Sequence, residues 1–243
     1  MFTKGKAQPL ERPKRFYKTV DTAPQGEGFG VRLDGRSPKT PQGRPLILLT
    51  AALAEMVASE WAGQGDEIVY GDMPATRLAF TTIDAVADAR EETAGEVARY
   101  AGSDLLCYFA DSPQKLVERQ LAHWGPVLDW AREELGLEFE RAVGIIHRPQ
   151  PAETVAAVKA LAERLDDFAL AGVAHAAGLY GSAILAFALE RDKLDGEAAF
   201  DLSRLDEAYQ EEGWGVDAEA AARTARLKRE AQMLENWFAA LRS

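Results

Sequence analysis

The residues best placed to do chemistry lie in one run, Leu-Asp-Glu-Ala-Tyr-Gln-Glu-Glu-Gly-Trp-Gly-Val-Asp, from Leu205 to Asp217. Asp206, Glu207, Gln210 and Glu211 cluster on one side of a predicted helix, and Leu202, Leu205 and Tyr209 recur at i, i+3 and i+7 on another. Glu207 and Glu211 stand four residues apart, a like-charge pair that costs an isolated helix roughly 0.2–0.5 kcal/mol. Arg204 can offset part of that cost. Gly213 and Gly215 are expected to end the helix and frame Trp214, and Asp217 to cap the next helix. Three readings are open. The acids can engage a basic partner, they can do acid–base work, or they are a solvated face with Trp214 filling the core. Acid–base work by a dyad needs facing carboxyls, whereas adjacent helical residues such as Asp206 and Glu207 point about 100° apart.

Other constellations are weaker still. No phosphate-binding loop with Lys-Ser/Thr occurs, and no dinucleotide fingerprint follows a strand. Glycines 26, 28 and 30 belong to a hairpin rather than a strand-to-helix turn. His123, His147 and His175 are far apart, and none has a His or Cys at ligand spacing, so neither a metal nor any other cofactor is expected. His175 reads as a neutral, hydrogen-bonded core imidazole. Cys107 reads as a buried inert thiol, and Gly181-Ser182 lacks the frame of a nucleophile elbow.

The totals narrow the classes. A net charge of −11 over 243 residues argues against nucleic acid or anionic lipid as partner and fits a basic one. One cysteine excludes an internal disulfide and a Cys-based zinc site. The basic start, Met1 to Arg15, has no apolar core of the kind a secretory signal needs. Phe168 to Leu189 carries no Asp, Glu, Lys or Arg and is long enough to span a bilayer. It is rich in Ala and Gly and is flanked by Asp166, Asp167, Glu190 and Asp192, so it is read as two buried helices.

Positioning elements follow from periodicity and breakers. Arg15 to Val20 has strand composition, and Gly28 to Asp34 alternates with Phe29, Val31 and Leu33 on one face. Asp34-Gly35 predicts a hairpin with a return strand over Arg36 to Thr40. Thr50 is the expected N-cap of a helix bearing Leu53, Met56, Val57 and Trp61. One further strand is expected at Glu67 to Tyr70. Beyond a boundary near residue 72 the pattern is helical: Thr76 to Tyr100, a helix opened by Ser112-Pro113 and bent near Gly125-Pro126, one from Pro151, the two buried helices, Gly196 to Glu212, and a last helix from Asp217. The fold class is therefore α+β, mostly α. A small β-containing unit (1–72) precedes a larger helical one (73–243).

Taken together, a set of short motifs resembles a known family. They are Arg15-Phe16-Tyr17-Lys18; Leu33-Asp34-Gly35-Arg36 with Thr40-Pro41; Glu60-Trp61 with Gln64; Met73-Pro74; and Asp104-Leu105-Leu106-Cys107-Tyr108. Gln120 with Trp124, Pro126 and Trp130 follows, then Leu205-Asp206-Glu207 with Gln210, Trp214-Gly215 and Asp217. Their order and spacing, from about Arg15 to Phe238, are similar to those of the Atp12 assembly chaperones, which hold the α subunit of the F-type ATP synthase. The resemblance implies a small β-containing domain and an orthogonal helical bundle, and binding without catalysis. It implies that unassembled α is kept from aggregating at the surface that later meets β, with no nucleotide or metal. The implied compartment is a bacterial cytoplasm, or the mitochondrial matrix for eukaryotic relatives, and the chain alone is expected to be a monomer. The acid matching Glu207 is the implied functional residue, joined on its helix by Asp206, Gln210, Glu211 and Trp214. Trp61 matches a position sensitive to substitution. Trp61, Glu60, Tyr209 and Trp124 are expected to pack the core or join the domains. Two positions depart from the family pattern: Phe109 stands where a base is common, and Gly125 where an acid is. The alternatives from the residues alone are a carboxylate enzyme built on Asp206 and Glu207, and a structural subunit of a stable complex.

Overall fold

The computed structural model describes residues 12–144, 148–214 and 218–243. The β layer comes first. β1 (Val20–Gln25) and β2 (Gly28–Leu33) form an antiparallel hairpin in which Val20 pairs with Leu33 and Gln25 with Gly28. β3 (Ile47–Leu48) lies on the other edge of β2. The hairpin turn is therefore at Gly26-Glu27, not at Asp34-Gly35. Asp34 and Gly35 do form a tight turn with φ of 49° and 78°. The strand expected after it shrinks to isolated bridges, Leu33 with Arg36 and Lys39 with Pro45. Pro38 and Pro41 bring no N–H to a ladder, so a strand cannot propagate there.

The strand expected over Arg15 to Val20 is also absent up to Val20. Its residues dock instead. The Tyr17 hydroxyl donates to the Trp61 carbonyl at 2.7 Å, and the Arg15 guanidinium donates to the carbonyls of Ala62 and Gln64. Those carbonyls close α1 (Ala51–Ala62). At its start, Thr50 Oγ1 accepts from the Leu53 N–H at 3.1 Å, the cap expected from sequence. In place of the strand expected at Glu67 to Tyr70 there is one bridge from Lys14 to Glu67, then a 3₁₀ turn at Tyr70–Asp72.

The helical part begins with α2 (Pro74–Asp84) and α3 (Arg90–Gly102). The single helical stretch expected over Thr76 to Tyr100 is divided by a 3₁₀ turn at Val86–Asp88. A loop from the β layer supplies partners for the broken end: Arg44 donates to the Ile83 carbonyl at 2.7 Å and pairs with Asp88, while Asp84 accepts from the Thr40 hydroxyl at 2.6 Å. β4 (Tyr108–Phe109) pairs in parallel with β5 (Ala142–Val143) across α4 (Gln114–Leu135), which continues through Pro126. Pro113 is the cap of α4, one residue later than expected.

α5 (Ala152–Glu163) leads to the apolar pair α6 (Asp167–Tyr180) and α7 (Ala183–Glu190), separated at Gly181, whose φ is 66°. Among the described residues no helix is long and apolar enough to cross a membrane. The helix expected from Gly196 to Glu212 is divided at Arg204 into α8 (Gly196–Ser203) and α9 (Leu205–Trp214). Gly213 does not stop it. The Trp214 side chain, Gly215, Asp217 and His147 lie outside the described residues.

α10 (Ala218–Leu241) binds the assembly together, packing on α8, α6, α1, α2 and α7. Two glycines permit its approach. A Cβ at Gly172 of α6 would stand 2.9 Å from the Phe238 ring, and one at Gly196 of α8 would stand 2.6 Å from the Ala231 carbonyl oxygen. The Thr50 hydroxyl also donates to the Ala240 carbonyl at 2.6 Å, so the last helix is tied to the first. Buried apolar residues form one continuous cluster from Tyr17 to Ala240. The class is α+β, mostly α.

Candidate functional site

The junction before α9 is pinned from α4. The Trp124 indole N–H donates to the Leu202 carbonyl at 3.0 Å, and its ring stacks edge-on against Phe109 at 5.7 Å. Four residues earlier, buried Gln120 uses both ends of its amide. Its oxygen accepts from the Ala110 N–H at 2.7 Å and its NH₂ donates to Asp206 Oδ1 at 2.7 Å. Burial pushes the Asp206 carboxyl up; the Gln120 bond opposes the rise and the Glu207 charge adds to it. Leu205 is buried, and Tyr209, one turn on, packs against the core.

With that side of α9 turned inward, Glu207 and Gln210 face solvent. The Glu207 side chain is 52% exposed. Arg204 lies beneath the acidic ladder, 3.8 Å from Glu207 and 3.5 Å from Glu211. Glu212 pairs with Arg119 of α4 at 2.6 Å. Asp206 and Glu207 thus meet different surroundings, one tied to an amide and one in water, and they do not make a facing acid pair.

Glu207 also sits on the lip of a groove of about 880 Å³. Its apolar surface comes from Leu78 of α2, Val86, Ala174 and Leu179 of α6, and Leu227 of α10. No sequence window contains these residues together, so the groove is not legible from the chain. A smaller cavity of about 440 Å³ lies against Arg204, Glu211 and His123. His175, expected in the core, instead lines the larger groove, its Nε2 3.4 Å from Glu230. Burial holds its pKa below the ordinary histidine range. Cys107 is buried, and burial pushes its thiol pKa up, away from the reactive thiolate. Among the described residues no three His, Cys, Asp or Glu side chains gather to hold a metal.

Glu60 and Trp61 lie apart from this face, at the end of α1. The Glu60 carboxylate accepts from the Ala75 N–H at 2.8 Å and from the Thr76 N–H and hydroxyl at 2.7 Å each, capping α2 across the chain. Burial pushes its pKa up, and the three bonds oppose the rise. Glu60→Ala leaves the two N–H groups without this acceptor. It is expected to cost about 1–3 kcal/mol, read as a lower thermal midpoint. An unchanged midpoint would show that α2 is held by packing alone. Trp61 is 2% exposed, between the rings of Tyr17 and Tyr70 at 5.8 and 6.2 Å. Phe109 and Gly125 are both buried, so their departures from the family pattern fall in the core rather than on a contact face.

Comparison with known proteins agrees with this architecture. A family model described as ATP12 chaperone protein matches residues 14–132. The mitochondrial protein atp12 of Schizosaccharomyces pombe is 26% identical over 223 residues, spanning 86% of this chain and 77% of that protein. The crystal structure of Atp12 from Paracoccus denitrificans superposes with a TM-score of 0.87 at 36% identity, over 93% of this chain and 97% of that one. The Atu1473 protein of Agrobacterium tumefaciens superposes with a TM-score of 0.88 at 40% identity, over 94% and 86% of the two chains. On the fold, the coverage and the identity together, this chain is a member of the Atp12 chaperone family.

Proposed function

We propose that the protein is an assembly chaperone of the F-type ATP synthase that holds the unassembled α subunit at the surface later occupied by β. The observation that carries this is the exposed Glu207, held on a helix whose inner side is anchored through Asp206 and Gln120, beside an open groove with apolar walls. A holdase needs apolar surface rimmed by charge and needs no reacting group. Glu207 is the proposed contact for a basic residue of the client. Gln210 and Glu211 border it, Trp214 is proposed to join that face, and Asp206 sets the helix position. The reading requires no nucleotide, metal or nucleic acid. The chain alone would be a monomer, in a bacterial cytoplasm or, for eukaryotic relatives, the mitochondrial matrix.

The test is co-purification with isolated α subunit, with and without β. Binding that β displaces supports the reading, and no binding to freshly refolded α sinks it. Glu207→Lys is expected to bind α at least about tenfold more weakly, because the substitution turns attraction into repulsion. Its thermal midpoint should hardly move. The contact to Arg204 is long, at 3.8 Å, and open to water on the Glu207 side, and Arg204 keeps Glu211 at 3.5 Å, so its loss should cost little. Binding lost only in proportion to unfolding would make Glu207 a structural residue.

A further inference from the structure

The groove beside Glu207 has charges of its own that the acidic face does not explain. Arg77 of α2 and Arg223 of α10 both line it, and neither makes an ion pair or side-chain hydrogen bond among the described residues. The third arginine of the groove is engaged: Arg204 lies against Glu207 and Glu211. Two further carboxylates line the groove, but Glu96 pairs with Arg99 and Glu230 stands 3.4 Å from His175, so Arg77 and Arg223 are the charges of the lining left without an ion pair among the described residues. The lining contributed by α6 is mostly small and apolar, with His175 among it and the Tyr100 hydroxyl against Gly178. Ala171, Ala174 and Gly178 stand at i, i+3 and i+7 along α6, and Leu78, Leu179 and Leu227 form the sides.

A volume of about 880 Å³ corresponds to roughly two turns of a helix about 10 Å across. Ala174, the partly exposed small residue of α6 in the middle of the groove, leaves room for an incoming side chain, and an apolar trough with charged rims is the form that takes an amphipathic helix. Resting on the reading of Glu207 above, we propose that this groove seats a short amphipathic helix of the client. The client helix lays its apolar face on α6 and places carboxylates against Arg77 and Arg223, with a basic residue at Glu207. The arrangement fixes direction as well as affinity, because reversing the helix sets base against arginine and acid against Glu207.

The experiment is a binding titration of the full chain with purified ATP synthase α subunit, comparing wild type, Glu207→Lys, the double variant Arg77→Glu with Arg223→Glu, and Ala174→Trp. Thermal midpoints are measured alongside. Both arginines are exposed, so the double variant should fold; Ala174→Trp blocks the floor without touching charge. The expected result is at least about tenfold weaker binding for the double variant and for Ala174→Trp, with a shallower salt dependence in the double variant. If both bind α like wild type while Glu207→Lys does not, the groove is not the seat and the acidic contact stands alone. If wild type binds no α, the proposed function falls and this inference with it.

Discussion

Trp61→Arg is expected to leave little folded protein. The indole is 2% exposed, and its ring joins a line of edge-on aromatic contacts running through Tyr17, Trp61 and Tyr70. Deleting a buried tryptophan typically costs about 3–5 kcal/mol, before the new side chain is considered. The guanidinium adds an unpaired charge to that site. The adjacent acid, Glu60, is already committed to the N-terminus of α2, and Arg15 lies over the Tyr17 ring at 4.7 Å, so the incoming cation meets another cation. Together these costs rival the roughly 5–15 kcal/mol that holds an ordinary domain. Among the described residues the indole N–H has no hydrogen-bond partner, so Trp61→Phe sacrifices packing but no polar contact and should be much milder. Soluble yield and far-UV melting of the two variants decide the matter. A folded, soluble Trp61→Arg that melts like wild type and fails only to bind α would place Trp61 in a contact rather than in the core.

The sequence is most informative where a signal is local. Thr50 caps α1 because its hydroxyl needs only the N–H three residues on. The alternation of Gly28 to Leu33 is that of a half-buried strand, and the Ala-rich stretch from Phe168 to Leu189 forms two buried helices that part at Gly181. It misleads where tertiary partners decide. Arg15 to Val20 has strand composition but serves to dock α1, and the helix beyond Thr76 breaks without glycine or proline where Arg44 takes the Ile83 carbonyl and Thr40 donates to the Asp84 carboxylate. Gly213 looks like a stop, yet one helical glycine costs only about 1 kcal/mol and α9 continues through it. The acidic face has the same limit. Its residues are visible in the chain, but their division into an anchored Asp206 and an exposed Glu207 depends on Gln120, 86 residues earlier. The groove depends on elements scattered along the chain and has no linear signature.

Asp104→Ala is the second change expected to act strongly, and its cause lies in one buried carboxylate. Asp104 is fully buried where the chain leaves α3. One oxygen accepts from the Leu106 N–H at 3.1 Å and the other from the Ile184 N–H at 3.0 Å. It therefore joins the turn after α3 to the start of α7, the helix at the centre of the core. Alanine leaves those N–H groups buried without an acceptor, at about 1–3 kcal/mol each, so a loss on the order of 4 kcal/mol is expected. Burial raises the Asp104 pKa to about 6 from 3.8, against the opposing pull of Ser182 and of the N–H groups around it. The sign follows from linkage. The folded state binds this proton more tightly than the unfolded state, so the proton's stabilisation is complete below the unfolded pKa near 3.8. It is lost as pH rises through about 6. His175, whose pKa burial depresses, acts in the opposite direction below its unfolded pKa of 6.5, so the wild-type curve alone mixes the two. The difference between wild type and Asp104→Asn isolates the carboxyl, because the amide does not titrate. Each tenfold difference in proton affinity between the folded and unfolded states is worth about 1.36 kcal/mol. Only the part of that difference lying above about pH 5 is sampled when chemical denaturation is followed from about pH 7.5 to 5. Over that window wild type should gain about 1.4 kcal/mol on Asp104→Asn. A gap independent of pH would mean that Asp104 stays ionised in its cage of donors throughout.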